Sequence, residues 1–278
     1  MKRVNPLSGL PTATRTLPYA PAPWTLLECT ETGMVFLENP PGYDALKQEF
    51  AWEVTSAAES AARLAAEPLA YRLSTAVKRL RSRWLKRNKM GVLIAAQLAR
   101  APQGELRLLD LGCGWGGLLG SVIGGLPAAV GSRCIPHGIE ISNELALIAD
   151  AQMVKLGGRC VHSDAVSGLG HFDESYFNVI VMSSFLEHEI EPLALLRACR
   201  ERLGPEGSVV LKVPNYACLN RHLRGARWCG FRWPDHVNYF TPRTLAELAA
   251  RAGFAVRRMN FFDRHPLSDS MYAVLQPR

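Results

Sequence analysis

The chain has 278 residues, 48% of them apolar and 21% charged. That is enough apolar material for one large domain with an appendage, or for two small ones, and too much for a disordered chain. The net charge of +7 is local: nine basic residues and no acid lie between positions 68 and 104, and five with no acid lie between 207 and 234. The remainder is net acidic, so the average basicity does not describe a surface uniformly suited to nucleic acid.

Residues 1–23 are rich in proline and small polar residues, and a poorly ordered tail is expected there. They carry no apolar core, which is not the pattern of a secretory leader. No apolar run reaches the ~20 residues of a membrane helix. The best candidate, 118–130, is broken by Gly120, Gly124, Gly125 and Pro127. The seven cysteines form no Cys-x-x-Cys pair and read as reduced thiols. Together these features give a cytoplasmic expectation.

Residues 24–53 read as a small strand-and-turn unit, with a strand over 34–37 and a turn at 39–42. From 54 to 98 helix formers dominate, and Val77, Leu80, Trp84 and Leu85 recur at helical spacing between basic residues. A basic helical cap is therefore expected over 54–104. Its segment 78–89 reads either as one solvated face of an amphipathic helix or as a surface for RNA or anionic lipid. No RNA-binding module is recognisable.

A different regime fills 105–278. Strands are expected over 106–111, 135–141, 159–162, 179–183, 208–213, 255–262 and 271–275. Helices are expected over 116–125, 143–155, 193–203 and 241–252, the last with Thr241 as N-cap and Pro242 in the first turn. Such alternation gives an α/β fold: a Rossmann-like, doubly wound, mainly parallel sheet, here with a helical N-terminal extension. Ligands on such sheets lie at the carboxyl ends of strands, near a switch point.

The first of these strands runs straight into Asp110-Leu-Gly112-Cys113-Gly114-Trp-Gly116 and then a helix. The glycines permit unusual backbone angles and close approach of a ligand. Gly112, Gly114 and Gly117 also satisfy the G-x-G-x-x-G spacing of nucleotide-dependent dehydrogenases, a weak pattern by itself. Asp110 argues against that, because a carboxylate at the strand end repels a pyrophosphate and suits a cationic ligand.

At these residues, and from about 106 to 254, the chain resembles the class I S-adenosylmethionine-dependent methyltransferase superfamily. The resemblance implies S-adenosylmethionine as cofactor, with Asp110, Gly112, Cys113, Gly114 and Gly116 cradling its methionine part. It implies that Glu140, followed by Ile141, holds the ribose hydroxyls, as a carboxylate can. It implies that Asp164, followed by Ala165, receives the adenine amino group. Phe185-Leu-Glu187-His188 resembles the segment after the fourth strand in members acting on small metabolites. One departure stands out: relatives often carry Asp near the start of the fourth strand, where this chain has Asn178. Each acid also has a plainer role, Asp110 and Asp164 as turn residues and Glu140 as a helix cap.

Cys29-Thr-Glu-Thr32-Gly33 resembles a Cys-x-x-Cys-Gly turn that holds zinc ahead of some methyltransferase domains. Thr32 stands where the second cysteine would be, and a structural zinc needs four ligands. No metal is expected.

A long loop between the fifth strand and the helix at 241 holds Arg221, His222, Arg224, Arg227, Trp228, Arg232, Trp233, His236 and Tyr239. Loops of this length in compact domains are functional or disordered, and the aromatics argue for order. The run 233–242 resembles one found over the active site in a subgroup of these enzymes. Arg227, Arg232 and Trp233 are candidate acceptor contacts, since arginine suits phosphate or carboxylate and an aromatic ring suits a flat substrate. His236, then His188, are candidate general bases, with Tyr239 orienting. The alternative is that the tryptophans only pin the loop and the arginines are solvated.

The expectation is methyl transfer to oxygen or nitrogen of a small, anionic metabolite. Three alternatives stay open: an RNA methyltransferase using the basic segment, a nucleotide-dependent dehydrogenase, and a non-catalytic protein that binds S-adenosylmethionine.

Overall fold

The computed structural model describes residues 3–42, 88–101 and 103–278. Most of the helical cap expected over 54–104, including the basic stretch 78–87, lies outside the described residues.

The larger sheet has seven strands. In chain order they are β4 (Leu106–Leu111), β5 (Cys134–Glu140), β6 (Arg159–His162), β7 (Phe177–Ser183), β8 (Leu203–Pro214), β10 (Phe254–Arg258) and β11 (Ser270–Pro277). Their spatial order is β10-β11-β8-β7-β4-β5-β6. β6, β5, β4, β7 and β8 are mutually parallel, and β11 runs antiparallel between β8 and β10. β4 sits at the switch point: the chain leaves it toward β5 on one side and returns through β7 on the other. The α/β expectation holds, and the crevice that such a reversal opens lies at the carboxyl end of β4.

Both faces of the sheet are covered, so its central strands read as apolar runs. On one face, helix α1 (Lys89–Leu98) buries Met90, Leu93, Ile94 and Leu98. These stand at helical spacing and pack against β7 and β8. α1 is therefore part of the sheet domain rather than of a separate cap. Lys89, at its start, lies 3.0 Å from the buried carboxylate of Asp263, which Arg258 also pairs at 3.0 Å. Those two cations hold the Asp263 carboxyl below the usual carboxylate range, although burial opposes them. The expected strand 255–262 ends early for the same reason. Asn260 and Asp263 cap each other in a reciprocal pair that starts a short 3-10 turn. α2 (Gly117–Gly124) packs beside α1 and is followed by the short α3 (Ala128–Gly131), while α5 (Ala165–Leu169), α6 (Pro192–Arg202) and α8 (Pro242–Arg251) lie on the other face and the short α7 (Leu219–Arg224) lies in the long loop. Thr241 caps α8 as expected, with Thr244 completing the box.

The tail expected at 1–23 is a correction. Residues Thr14–Leu17 form β1, which pairs with β2 (Leu26–Cys29), itself paired with β3 (Val35–Leu37). Leu7 is fully buried in the main core. The Arg3 guanidinium donates to the carbonyls of Val237 and Ile190 and to the Asn238 side chain. The fourth strand of this small sheet is β9 (Asn238–Tyr239), from the far end of the chain, pairing Val35 with Tyr239. The N-terminal unit is thus built onto the long loop before α8. Cys29 accepts from the Thr32 backbone N–H at 3.4 Å and lies 3.3 Å from the Thr12 hydroxyl, so its thiol is hydrogen-bonded within the turn.

Candidate active site

The Gly-rich turn leaves β4 with Gly112, Gly114 and Gly116 at φ of 66°, 54° and 80°, all left-handed. Only glycine adopts these angles cheaply. Their surroundings differ. A Cβ on Gly112 would stand 2.4 Å from the Phe185 ring, whereas one on Gly114 would meet nothing within 4 Å. Gly112 is therefore required by the fold, and Gly114 faces open space where a ligand can approach. Cys113 points inward, 3.6 Å from Cys160; that neighbour and burial push its thiol up. It packs beneath the turn.

Glu140, at the end of β5, is buried and already organised. Its Oε2 accepts from the Gly114 N–H at 2.8 Å and its Oε1 from the Ser142 N–H at 3.0 Å. Each oxygen keeps further acceptor capacity. Ser142, not Glu140, caps the next helix, α4 (Asn143–Met153), so the plainer reading of Glu140 as that cap fails. Ile141 continues the strand end, and its carbonyl lies 3.1 Å from His162 Nε2. Asp164 takes its plainer role at least in part: it caps α5, accepting from Ser167 N–H at 2.9 Å, with Ala165 buried behind it.

Asp110 is 3% exposed. Burial raises its carboxyl pKa well above the usual range, and the nearby Glu140 carboxylate raises it further. Among the described residues, no cation offsets these two acids on adjacent strand ends. A ligand carrying an ammonium and a sulfonium would supply one, so S-adenosylmethionine fits the residues present. The sign of this linkage is definite. A carboxyl whose folded-state pKa is raised binds more protons than in the unfolded chain, so its ionisation costs stability as pH rises toward the folded-state value. Asp110→Asn is therefore expected to raise the melting temperature of the ligand-free protein at pH 8. It should also weaken S-adenosylmethionine at least tenfold. The stability gain should shrink as pH falls and the wild-type carboxyl protonates. Melting curves at pH 8 and pH 5 with calorimetry check this; a lower melting temperature for the variant at pH 8 contradicts it.

After β7 the chain turns out through Ser184, a left-handed non-glycine residue at φ 59°. Such a conformation is disfavoured by about 1 kcal/mol or more. It lays Phe185 against Gly112 and carries Glu187 and His188 onward. Glu187 is 1% exposed, and its Oε2 has no hydrogen-bond partner among the described residues. Burial pushes its carboxyl up to about 7, against the pull of Lys212 and Arg232. Its backbone carbonyl accepts from the N–H groups of Val237 and Asn238. The Asn238 side chain also donates to the carbonyls of Leu186 and Glu189. These bonds clamp the long loop onto the end of β7.

That clamp brings His236 to His188, with ring centroids 4.7 Å apart and planes nearly perpendicular. His188 Nδ1 lies 2.9 Å from the Asp235 carbonyl, and His236 Nδ1 lies 2.8 Å from the Gly230 carbonyl. Desolvation and the Arg232 charge push His188 down to about 4, so it is neutral at ordinary pH. Arg232 stands at the edge of this group, 3.9 Å from Asp235.

The remaining candidates spread out. Arg227 is exposed on the outer surface. Arg221 lies over the Tyr216 ring and donates to that residue's carbonyl. Trp233 is half-buried, stacked on Phe231, whereas Trp228 is fully buried. Tyr239 is buried among Tyr216, Phe231 and Trp233, and its hydroxyl has no partner among the described residues. Sequence reasoning undervalued Glu187 and missed Asn238. The signal for Glu187 was its place beside a candidate histidine just after a strand; Asn238 gave none.

Comparison with known proteins decides the family. A family model described as "Methyltransferase domain" matches residues 66–258. The chain belongs to this methyltransferase family. The ubiquinone biosynthesis O-methyltransferase of Cereibacter sphaeroides (strain ATCC 17029 / ATH 2.4.9) is 33% identical over 168 residues, covering 56% of this chain and 62% of that protein. The chain thus aligns with less than two thirds of that relative's length. Among solved structures, magnesium protoporphyrin IX methyltransferase from Synechocystis PCC 6803, with bound SAH, superimposes with a TM-score of 0.51 at 13% identity, covering 68% of this chain and 82% of that one. The cyclase SpnF superimposes with a TM-score of 0.50 at 20% identity, covering 68% and 81%. At such identities these two show the fold alone, and a cyclase among them illustrates that fold does not dictate reaction. The family match leaves the dehydrogenase reading without support. No helix among the described residues is long and apolar enough to cross a membrane.

Proposed function

We propose that this chain transfers a methyl group from S-adenosylmethionine to an oxygen of a small-molecule acceptor. The observation that carries the reading is the pair of buried carboxylates, Asp110 and Glu140, flanking a left-handed glycine turn at the switch point of a methyltransferase-family sheet. Oxygen is favoured over nitrogen because the relatives matched at 33% identity are named O-methyltransferases.

When bound, S-adenosylmethionine supplies an electrophilic methyl group, so the protein's main task is alignment of the acceptor. Glu140 and the turn would hold the ribose side, and Asp110 would face the cationic side. Glu187, His188 and His236 would receive the acceptor hydroxyl, and the Glu187 carboxylate would take its proton as the new O–C bond forms and the S–CH3 bond breaks. Arg232 would meet an anionic or electron-rich part of the acceptor. Arg221 is engaged with Tyr216 and Arg227 faces outward, so one arginine rather than four is assigned this role.

The test is incubation of the full chain with isotopically labelled S-adenosylmethionine and a metabolite extract, followed by mass spectrometry. Labelled O-methylated products are expected, hydroxylated aromatic compounds among them. Cofactor binding without any labelled product would support a non-catalytic S-adenosylmethionine-binding protein, and label on RNA would support an RNA methyltransferase.

A further inference from the structure

Glu187, His188 and His236 each place one ligating atom within 4.8 Å of the others. They come from two segments nearly fifty positions apart and meet only because Asn238 and Val237 clamp the loop to the Glu187 carbonyl. Two independent features then point to a ligand. The Glu187 side chain is buried, yet its Oε2 has no hydrogen-bond partner among the described residues. A buried carboxylate oxygen left that way is costly unless something pairs with it. The second feature is the tautomer. Both Nδ1 atoms lie within 3 Å of a backbone carbonyl, which can only accept, so each Nδ1 carries the proton and donates it. Each Nε2 then carries its lone pair. Metal-binding histidines are held in this way, with the other ring nitrogen donating to a carbonyl that fixes tautomer and orientation.

From this geometry we propose that Glu187, His188 and His236 form a binding site for one divalent first-row transition-metal ion. Two imidazoles and one carboxylate select such an ion over magnesium or calcium, which prefer oxygen. Three protein ligands leave open positions for an acceptor oxygen or water. A tetrahedral ion with ligand distances of about 2.1 Å holds its ligand atoms about 3.4 Å apart. The three atoms, which lie within 4.8 Å of one another, must therefore draw together on binding.

Charge is the main objection, because Arg232 lies beside the cluster. Asp235, buried and 3.9 Å from the Arg232 guanidinium, offsets it. Lys212 also acts on Glu187, so Glu187, Asp235, Arg232 and Lys212 together carry no net charge when Glu187 is ionised. This site is separate from Cys29, where one thiol remains, and it departs from the metal-free expectation drawn from sequence. A cation here would make an acceptor hydroxyl held against it more acidic. That role rests on the O-methyl transfer proposed above; the metal site itself does not.

The test uses the full chain, stripped with a chelator and titrated with Co²⁺ alone. Ligand-field absorption should rise and saturate at one equivalent, and Zn²⁺ should displace it. Glu187→Gln, isosteric and uncharged, and His236→Ala should each weaken Co²⁺ at least tenfold. His222→Ala and His265→Ala, at surface histidines, should leave it unchanged. Melting curves in chelator confirm that each variant folds, and Glu187→Gln decides alone if His236→Ala does not. No absorption with wild-type protein would overturn the proposal. So would absorption that survives Glu187→Gln at unchanged affinity, whatever the surface variants do. S-adenosylmethionine calorimetry on the stripped protein separates the two proposals, because cofactor binding should persist even where Co²⁺ binding fails.

Discussion

Glu140→Ala is expected to weaken S-adenosylmethionine binding by about 100-fold, or roughly 3 kcal/mol. The wild-type carboxylate does two things at once. In the proposed site it accepts from the ribose hydroxyls, and it already holds the Gly114 and Ser142 N–H groups at 2.8 and 3.0 Å. Hydrogen bonds to charged groups contribute roughly 1.5–3 kcal/mol each, so two lost ribose bonds at the low end of that range account for the effect. The Gly114 N–H, at φ 54°, also loses the bond that keeps the turn in place. Glu140→Gln retains one acceptor but presents an amide where the turn needs oxygen, so an intermediate loss of about tenfold is expected. Calorimetry measures both, and melting curves without ligand exclude general unfolding. Affinity within twofold of wild type for the alanine variant would place the cofactor elsewhere.

Trp228→Ala should be the most destabilising single change in the loop, by about 4 kcal/mol, lowering the melting temperature by about 10 °C. Trp228 is 1% exposed and packs edge-on against Tyr216 and Phe231. Its Nε1 donates to Asp269 Oδ1 at 2.8 Å, and the same carboxylate accepts from Asn220. The indole therefore joins the loop to the segment preceding β11. Gly230 lies so close that a Cβ there would stand 2.2 Å from the ring. Truncation leaves a large cavity and an acceptor short of one donor. Catalysis should fall further than stability alone implies, because His236 is positioned by the same loop. Trp228→Phe keeps most of the packing and should cost about half as much. Urea or thermal denaturation checks the order; a shift below 2 °C for Trp228→Ala would mean that the indole is not what holds the loop.

The contrast between Trp228 and Trp233 shows where sequence reading stopped. Both are visible in sequence as aromatics in a long loop, Trp233 as a candidate acceptor contact and both, in the alternative reading, as pins. Nothing local distinguishes them. Trp228 is buried because its neighbours come from β2, β3 and β9 as well as from the loop. Arg227 and Arg232 differ in the same way: similar in sequence, one exposed and one set beside Asp235.

What the sequence by itself determined is the backbone framework of the proposed cofactor half of the site. Asp110, the three glycines and Glu140 lie at the ends of strands whose apolar pattern is local, and the left-handed turn can be met only by glycine, so backbone rules place them without knowledge of any distant partner. The alternation of strands and helices likewise determined the parallel sheet and its switch point. Only the tertiary structure decided the other half. The order of residues 3–42 depends on pairing between Val35 and Tyr239, and on an Arg3 guanidinium that reaches carbonyls near 190 and 237. The meeting of Glu187 and His188 with His236 depends on backbone bonds between the β7 end and the loop. Such contacts are long in sequence and carry no periodic signature. They exist because closing the chain satisfies N–H and C=O groups that would otherwise be buried without partners, and that requirement is met in space rather than along the sequence.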